Sequence, residues 1–153
     1  MSAWERAACT VREYGADILN SGGMQREKQF LQHGNINVYN HSVRVACMAV
    51  YLAERFGLSV DRRALVRGAL LHDYFLYDWH VPDKSHRLHG FTHAQRALQN
   101  ASRDFQLSER ERDIIGKHMF PLNLQPPRYR ESVLVCIADK LSAAAETLHA
   151  VRP

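Results

Sequence analysis

The 153-residue sequence predicts an all-α fold, a compact helical bundle forming one domain over residues 1–153. Three observations carry this. Apolar side chains recur at helical spacing in several separate stretches, Asp, Ser and Thr stand in capping positions ahead of them, and no segment reads convincingly as a strand. A composition of 46% hydrophobic and 24% charged residues matches one globular domain long enough to bury a core.

From Tyr39 to Phe56, the positions His41, Val45, Met48, Leu52 and Phe56 follow a helical stripe that Gly57 stops. Asp61 can cap the next helix, in which Leu65, Ala69 and His72 form one row and Val66, Leu70 and Asp73 the adjacent one. Thr92 with Gln95 fits a capping box ahead of Ala94, Ala97, Leu98, Ala101 and Phe105; Ser108 with Glu111 fits a second, ahead of Ile114, Ile115 and His118. Pro121 bars continuation of that helix, and from Arg128 a last one carries Val135, Cys136, Asp139 and Ala143 on one side. The run Val133 to Ala138 has the apolar character of a strand, but it continues into a strongly helical Lys140 to Glu146. Residues ahead of about 35 are expected to form an N-terminal helical extension.

No apolar run approaches the roughly 20 residues that span a bilayer, and the start lacks a signal-peptide core, so no membrane partner and a cytoplasmic location are expected. Cys9, Cys47 and Cys136 are odd in number and outside any CxxC pair, which argues against disulfides and thiolate zinc sites and for buried, reduced thiols. The net charge of +4 is spread along the chain with acids interleaved and without stacking aromatics, which disfavours nucleic acid as a partner.

The nine histidines are more informative. A lone histidine on an apolar face is usually a hydrogen-bonded core residue. Asp73 beside His72, after Ala69-Leu70-Leu71, is harder to treat so, because a buried carboxylate is costly unless paired or metal-bound. With His41, His118 and Asp139 also on or beside apolar stripes, the donors form a mixed imidazole and carboxylate set suited to Fe, Mn, Zn or a similar ion inside a bundle.

The segments His41-Ser42-Val43-Arg44-Val45-Ala46, Ala69-Leu70-Leu71-His72-Asp73 and Ile137-Ala138-Asp139-Lys140 resemble the signature segments of the HD-domain superfamily of metal-dependent phosphohydrolases, over roughly residues 35 to 145. The resemblance implies that His41, His72, Asp73 and Asp139 bind a metal. It also implies, for branches with two more histidines, a dinuclear centre completed by His93 and His118, with His89 competing with His93 for its place. One or two divalent ions (Fe, Mn, Zn, Co or Mg) are the expected cofactors. The chain departs from the pattern after the His72-Asp73 pair, where Tyr74-Phe75-Leu76 stand in place of the Gly-Lys of related cyclic-dinucleotide phosphodiesterases.

Asp73, Lys117 and His80 are the candidate catalytic residues, and Arg44, His89, Asp78 and Lys140 the candidate substrate contacts. Lys84, His86 and Arg87 share the loop with Asp78 and His80, and Gln32 to Asn40, with His33 and Asn37, can line the cavity mouth. The expected function is hydrolysis of a phosphomonoester or phosphodiester in a nucleotide or other small phosphorylated substrate, through metal-activated water. The alternatives are a mixed-valent di-iron oxygenase of the same fold and a non-catalytic domain that binds a nucleotide or metal for regulation.

Overall fold

A computed structural model describes residues 1–77 and 89–151, with side chains for all of these except 89–91, 150 and 151. The described chain runs α1 (Ala3–Leu19), α2 (Gly22–Arg26), a 3-10 turn (Glu27–Gln29), β1 (Leu31–His33), β2 (Ile36–Asn37), α3 (Val38–Arg55), α4 (Arg62–Leu71), α5 (His89–Asp104), α6 (Glu109–Lys117) and α7 (Arg130–Val151). The fold is all-α, with a single small antiparallel hairpin among the described residues.

Capping residues set the helix starts. Ser2 with Glu5 and Ser108 with Glu111 form reciprocal capping boxes, while Asn37 and Asp61 accept from the backbone N–H groups of Asn40 and Ala64. Asn37, at the expected cavity mouth, is thus the residue that starts the helix carrying His41. α3 packs on α1, α4 and α7, and α4 packs on α6, so α3 and α4 sit at the centre. Their buried faces (Val45, Ala46, Ala49, Val50; Leu65, Val66, Ala69, Leu70) meet Ile114 and Ile115 of α6 and Val135 and Ala138 of α7.

Two devices lock this centre. Arg67 of α4, almost fully buried, donates to Asp17 of α1 and Glu111 of α6 at 2.7 Å each, so one guanidinium ties three helices together. At Gly68 a Cβ would lie 2.5 Å from Ile114 Cδ1 and 2.8 Å from its Cβ, so α4 and α6 approach within a distance only glycine permits. Past α4, the Asn100 amide of α5 donates to the carbonyls of Tyr74 and Phe75, and the Tyr74 hydroxyl donates to Asp104. The segment after the His72-Asp73 pair is thereby fastened to α5.

Four sequence expectations are corrected. The hairpin at Leu31 to Asn37 was not expected; its strands are only three and two residues long, too short to show alternation. α5 starts at His89 rather than at Thr92, which puts Thr92 and Gln95 inside the helix. α7 starts at Arg130, with Asp113 of α6 accepting from the Arg128 and Tyr129 N–H groups and the Ser132 hydroxyl just ahead of and within its first turn. Cys9 is exposed, while Cys47 and Cys136 are buried as expected. Among the described residues no helix is long and apolar enough to cross a membrane.

The close approach at Gly68 is testable by thermal unfolding. Alanine gains about 1 kcal/mol over glycine in a helix interior, yet Gly68→Ala is expected to destabilise the protein by about 1–3 kcal/mol, because the β-branched Ile114 cannot withdraw. Unchanged or raised stability would show that α6 yields freely.

Candidate metal centre

Helix ends and one helix interior deliver the donor groups. His41 lies in the first turn of α3, His72 and Asp73 follow the last turn of α4, His93 lies near the start of α5, His118 caps the end of α6, and Asp139 sits midway along α7. His72 and His118 are placed by one local device. Each is a helix C-cap whose Nδ1–H donates to the carbonyl three residues back, Ala69 at 2.6 Å and Ile115 at 2.8 Å. These bonds use carbonyls that a helix end leaves without partners, and they turn Nε2 of each ring away from its own helix, where it ligates once unprotonated.

The six side chains converge as two groups sharing Asp73. One holds His41, His72, Asp73 and Asp139, the other Asp73, His93 and His118, with donor atoms in each group within 4.8 Å of one another. Asp73 Oδ2 lies 3.2 Å from His72 Nε2 and 3.5 Å from His41 Nε2, whereas Oδ1 lies 3.3 Å from His93 Nε2 and 3.4 Å from His118 Nε2. Asp139 Oδ1 closes the first group at 2.9 Å from His41 and 3.3 Å from His72, and the Nε2 atoms of His93 and His118 are 2.9 Å apart in the second. Around a first-row ion with bonds of about 2.1 Å, adjacent donors stand roughly 3.0–3.4 Å apart.

Buried electrostatics support the same reading. Asp73 is fully buried and its Oδ1 has no hydrogen-bond partner, a costly arrangement that a cation between it and the two imidazoles would remove. Burial opposes ionisation of Asp73, yet the charge of His72 and the surrounding imidazoles of His118, His72 and His93 hold its carboxyl well below the usual range. Burial also opposes charge on His41, but hydrogen bonds to Asp139 and Glu146 outweigh it and raise this imidazole to about 9. In the second group burial prevails and lowers His118. The first group is thus built to hold positive charge more firmly than the second.

Glu146, which sequence reasoning missed, lies 2.8 Å from His41 Nδ1 and is fully buried on α7, seven positions past Asp139. A carboxylate behind a ligating histidine fixes its ring and raises its basicity. The available signal was a carboxylate following Ala143-Ala144-Ala145 at the helical repeat of Asp139. Gln32 was also missed as an individual residue; its amide donates to Asp73 Oδ2 at 2.8 Å. His33 is half-buried with its ring 5.4 Å from that of His41.

The candidate cations around the centre have protein partners. Lys117 pairs with Asp113 at 2.7 Å, and Lys140 donates to the His118 carbonyl at 3.2 Å and to Cys136 Sγ at 3.0 Å. Arg44 remains partly exposed, 3.8 Å from Glu146. Asp78, His80, Lys84, His86 and Arg87 lie outside the described residues, as does the side chain of His89.

Two outcomes are expected. In chelator-treated protein the raised His41 stabilises the fold fully below about 6.5 and loses that contribution as pH rises through about 9. The loss is at most on the order of 3 kcal/mol, and ion affinity rises over the same window as the proton leaves. Thermal unfolding against pH, with and without added ion, checks both trends; stability rising with pH in chelated protein would contradict them. Separately, His93→Ala is expected to lose about one ion per chain and His89→Ala none, read by metal analysis; the reverse would exchange their roles.

The HD domain family matches residues 38–144, which span all six of these side chains. The chain is 39% identical over 108 residues to Ribonuclease Y of Pseudothermotoga lettingae, 37% to that of Thermotoga petrophila and 33% to that of Thermosipho melanesiensis. Each match covers 71% of this chain but only 19% of the relative. No solved structure matches significantly. With the family's pattern over most of its length and the histidine and aspartate groups gathered at one centre, the chain belongs to the HD-domain family.

Proposed function

We propose that this chain is a metal-dependent phosphohydrolase with a dinuclear centre, acting on phosphodiester bonds of RNA or of short RNA fragments. The observation that carries the proposal is Asp73, whose two carboxylate oxygens each face a separate set of imidazoles. His41, His72, Asp73 and Asp139 would hold one divalent ion, and Asp73, His93 and His118 the other. The donor set suits Fe, Mn, Zn or Co better than Mg, which prefers all-oxygen ligands. Such a pair of ions supplies an activated water near neutral pH and neutralises charge on the phosphoryl oxygens.

The protein's own groups do the rest. Asp73 and Asp139 provide the negative charge that retains the ions, and Glu146 keeps His41 oriented and basic. The second set offers three protein donors against four in the first, leaving more room for water and a phosphoester oxygen. Arg44, partly exposed beside Glu146, is assigned to the phosphate. Lys117 and Lys140, engaged elsewhere, are not.

RNA as the substrate replaces the small phosphoester expected from sequence. Support comes from the name of the relatives, Ribonuclease Y, at 33–39% identity. Because the chain spans 19% of those relatives, the proposal concerns the HD domain's chemistry alone.

The test is a panel of 5′- and 3′-labelled RNA oligonucleotides, mononucleotides and an aryl phosphodiester, with Mn, Fe, Co, Zn and Mg supplied separately. RNA cleavage with a transition ion is expected, falling to background in Asp73→Ala together with loss of bound metal. Oxygen consumption by iron-loaded protein with no phosphoester cleaved would establish the oxygenase reading instead. Tight nucleotide binding without turnover under any ion would establish the regulatory one.

A further inference from the structure

The hairpin ahead of α3 lies outside the HD signature segments but reaches the centre. In a regular strand, neighbouring side chains project to opposite faces. Here the β1–β2 pairing slips between Leu31 and His33, so that Leu31 opposes Asn37 while His33 opposes Ile36. Irregularities of this kind re-aim side chains and are common beside active sites. Both Gln32 and His33 reach the centre from it: Gln32 Nε2 donates to Asp73 Oδ2 at 2.8 Å, and the His33 ring stands against His41.

The Gln32 bond is buried and neutral on the donor side. Gln32 is 8% exposed and its own Oε1 has no partner, so the hydrogen bond to Asp73 ties this side chain to the centre. Its effect on Asp73 is geometric. Rotation of the carboxylate about Cβ–Cγ would carry Oδ1 away from His93 and His118, and a donor held at 2.8 Å from Oδ2 opposes that rotation without competing for charge.

The neutrality of glutamine also has a local reason. Glu27, in the 3-10 turn just ahead of β1, is fully buried with both carboxylate oxygens unpartnered, and it lies close enough to Asp73 to feel its charge. A third acid, at position 32, would crowd three carboxyl groups into one dry region.

We infer that Gln32 is a positioning residue that, by pinning Asp73 Oδ2, holds Oδ1 toward His93 and His118 and so sets the affinity of the second ion site. The inference rests on the dinuclear reading above. It is specific about which ion is affected, since Asp73 is the carboxylate of the second group, whereas the first group also has Asp139.

The experiment is stepwise titration of the full chain with Mn or Zn against a competing chelator, with Tm recorded for every variant. Wild type is expected to take up two ions, the first more tightly. In Gln32→Leu the first affinity is retained and the second falls about 10–100-fold. Gln32→Met, which keeps side-chain length and volume but removes the donor, is expected to weaken the second ion as much and provides the reading if the leucine variant does not fold. Wild type binding two ions while both variants bind them with unchanged affinity would overturn the positioning role. Loss of both ions in parallel with a lowered Tm would overturn it too, since that is the signature of a merely structural residue. Wild type binding a single ion would instead overturn the dinuclear reading, and the inference with it.

Discussion

The architecture depends on a buried carboxylate facing buried imidazoles. Asp73 is enclosed by protein, one of its oxygens has no hydrogen-bond donor, and four histidine nitrogens lie within 3.5 Å of its two oxygens. Without a counter-charge such a cluster would cost several kcal/mol. Every helix of the centre is positioned to supply this one spot, and the surrounding fold can be understood as the frame that holds their ends together.

That frame works through helix termini. His72 and His118 occupy equivalent C-cap positions on α4 and α6, each turning its ring by a bond to its own helix. Because the two helices are brought together at Gly68 and linked through Arg67 and Glu111, the rings converge without a loop having to place them. C-terminal helix ends carry partial negative charge, which favours a cation between them. The same interactions that stabilise the bundle therefore orient the donor atoms.

The two donor groups differ in kind. The first has three acidic side chains in or behind it, counting Glu146 behind His41, and its histidines are shifted towards holding charge. The second relies on half of Asp73 and on imidazoles whose burial keeps His118 neutral. With three protein donors against four, the second group would leave more of an ion's coordination open to water or a substrate oxygen.

Much of this was legible in the chain itself. Helical periodicity and capping residues marked α3, α4, α6 and α7, because those signals are local and depend on side-chain spacing. The unusual placement of polar groups on apolar stripes marked His41, Asp73, His118 and Asp139, because burying them demands a partner. The hairpin, the start of α5, and the parts played by Glu146 and Gln32 were not legible. A hairpin with strands of three and two residues has no period to read, and a glutamine in a polar stretch looks like surface until another element covers it. What the sequence determined by itself was the inventory of donors and the helices that carry them. Only the tertiary structure decided that Asp73 divides its two oxygens between two histidine sets, because that division is set by the relative placement of five helices and by the carboxylate's rotation, neither of which any local spacing encodes.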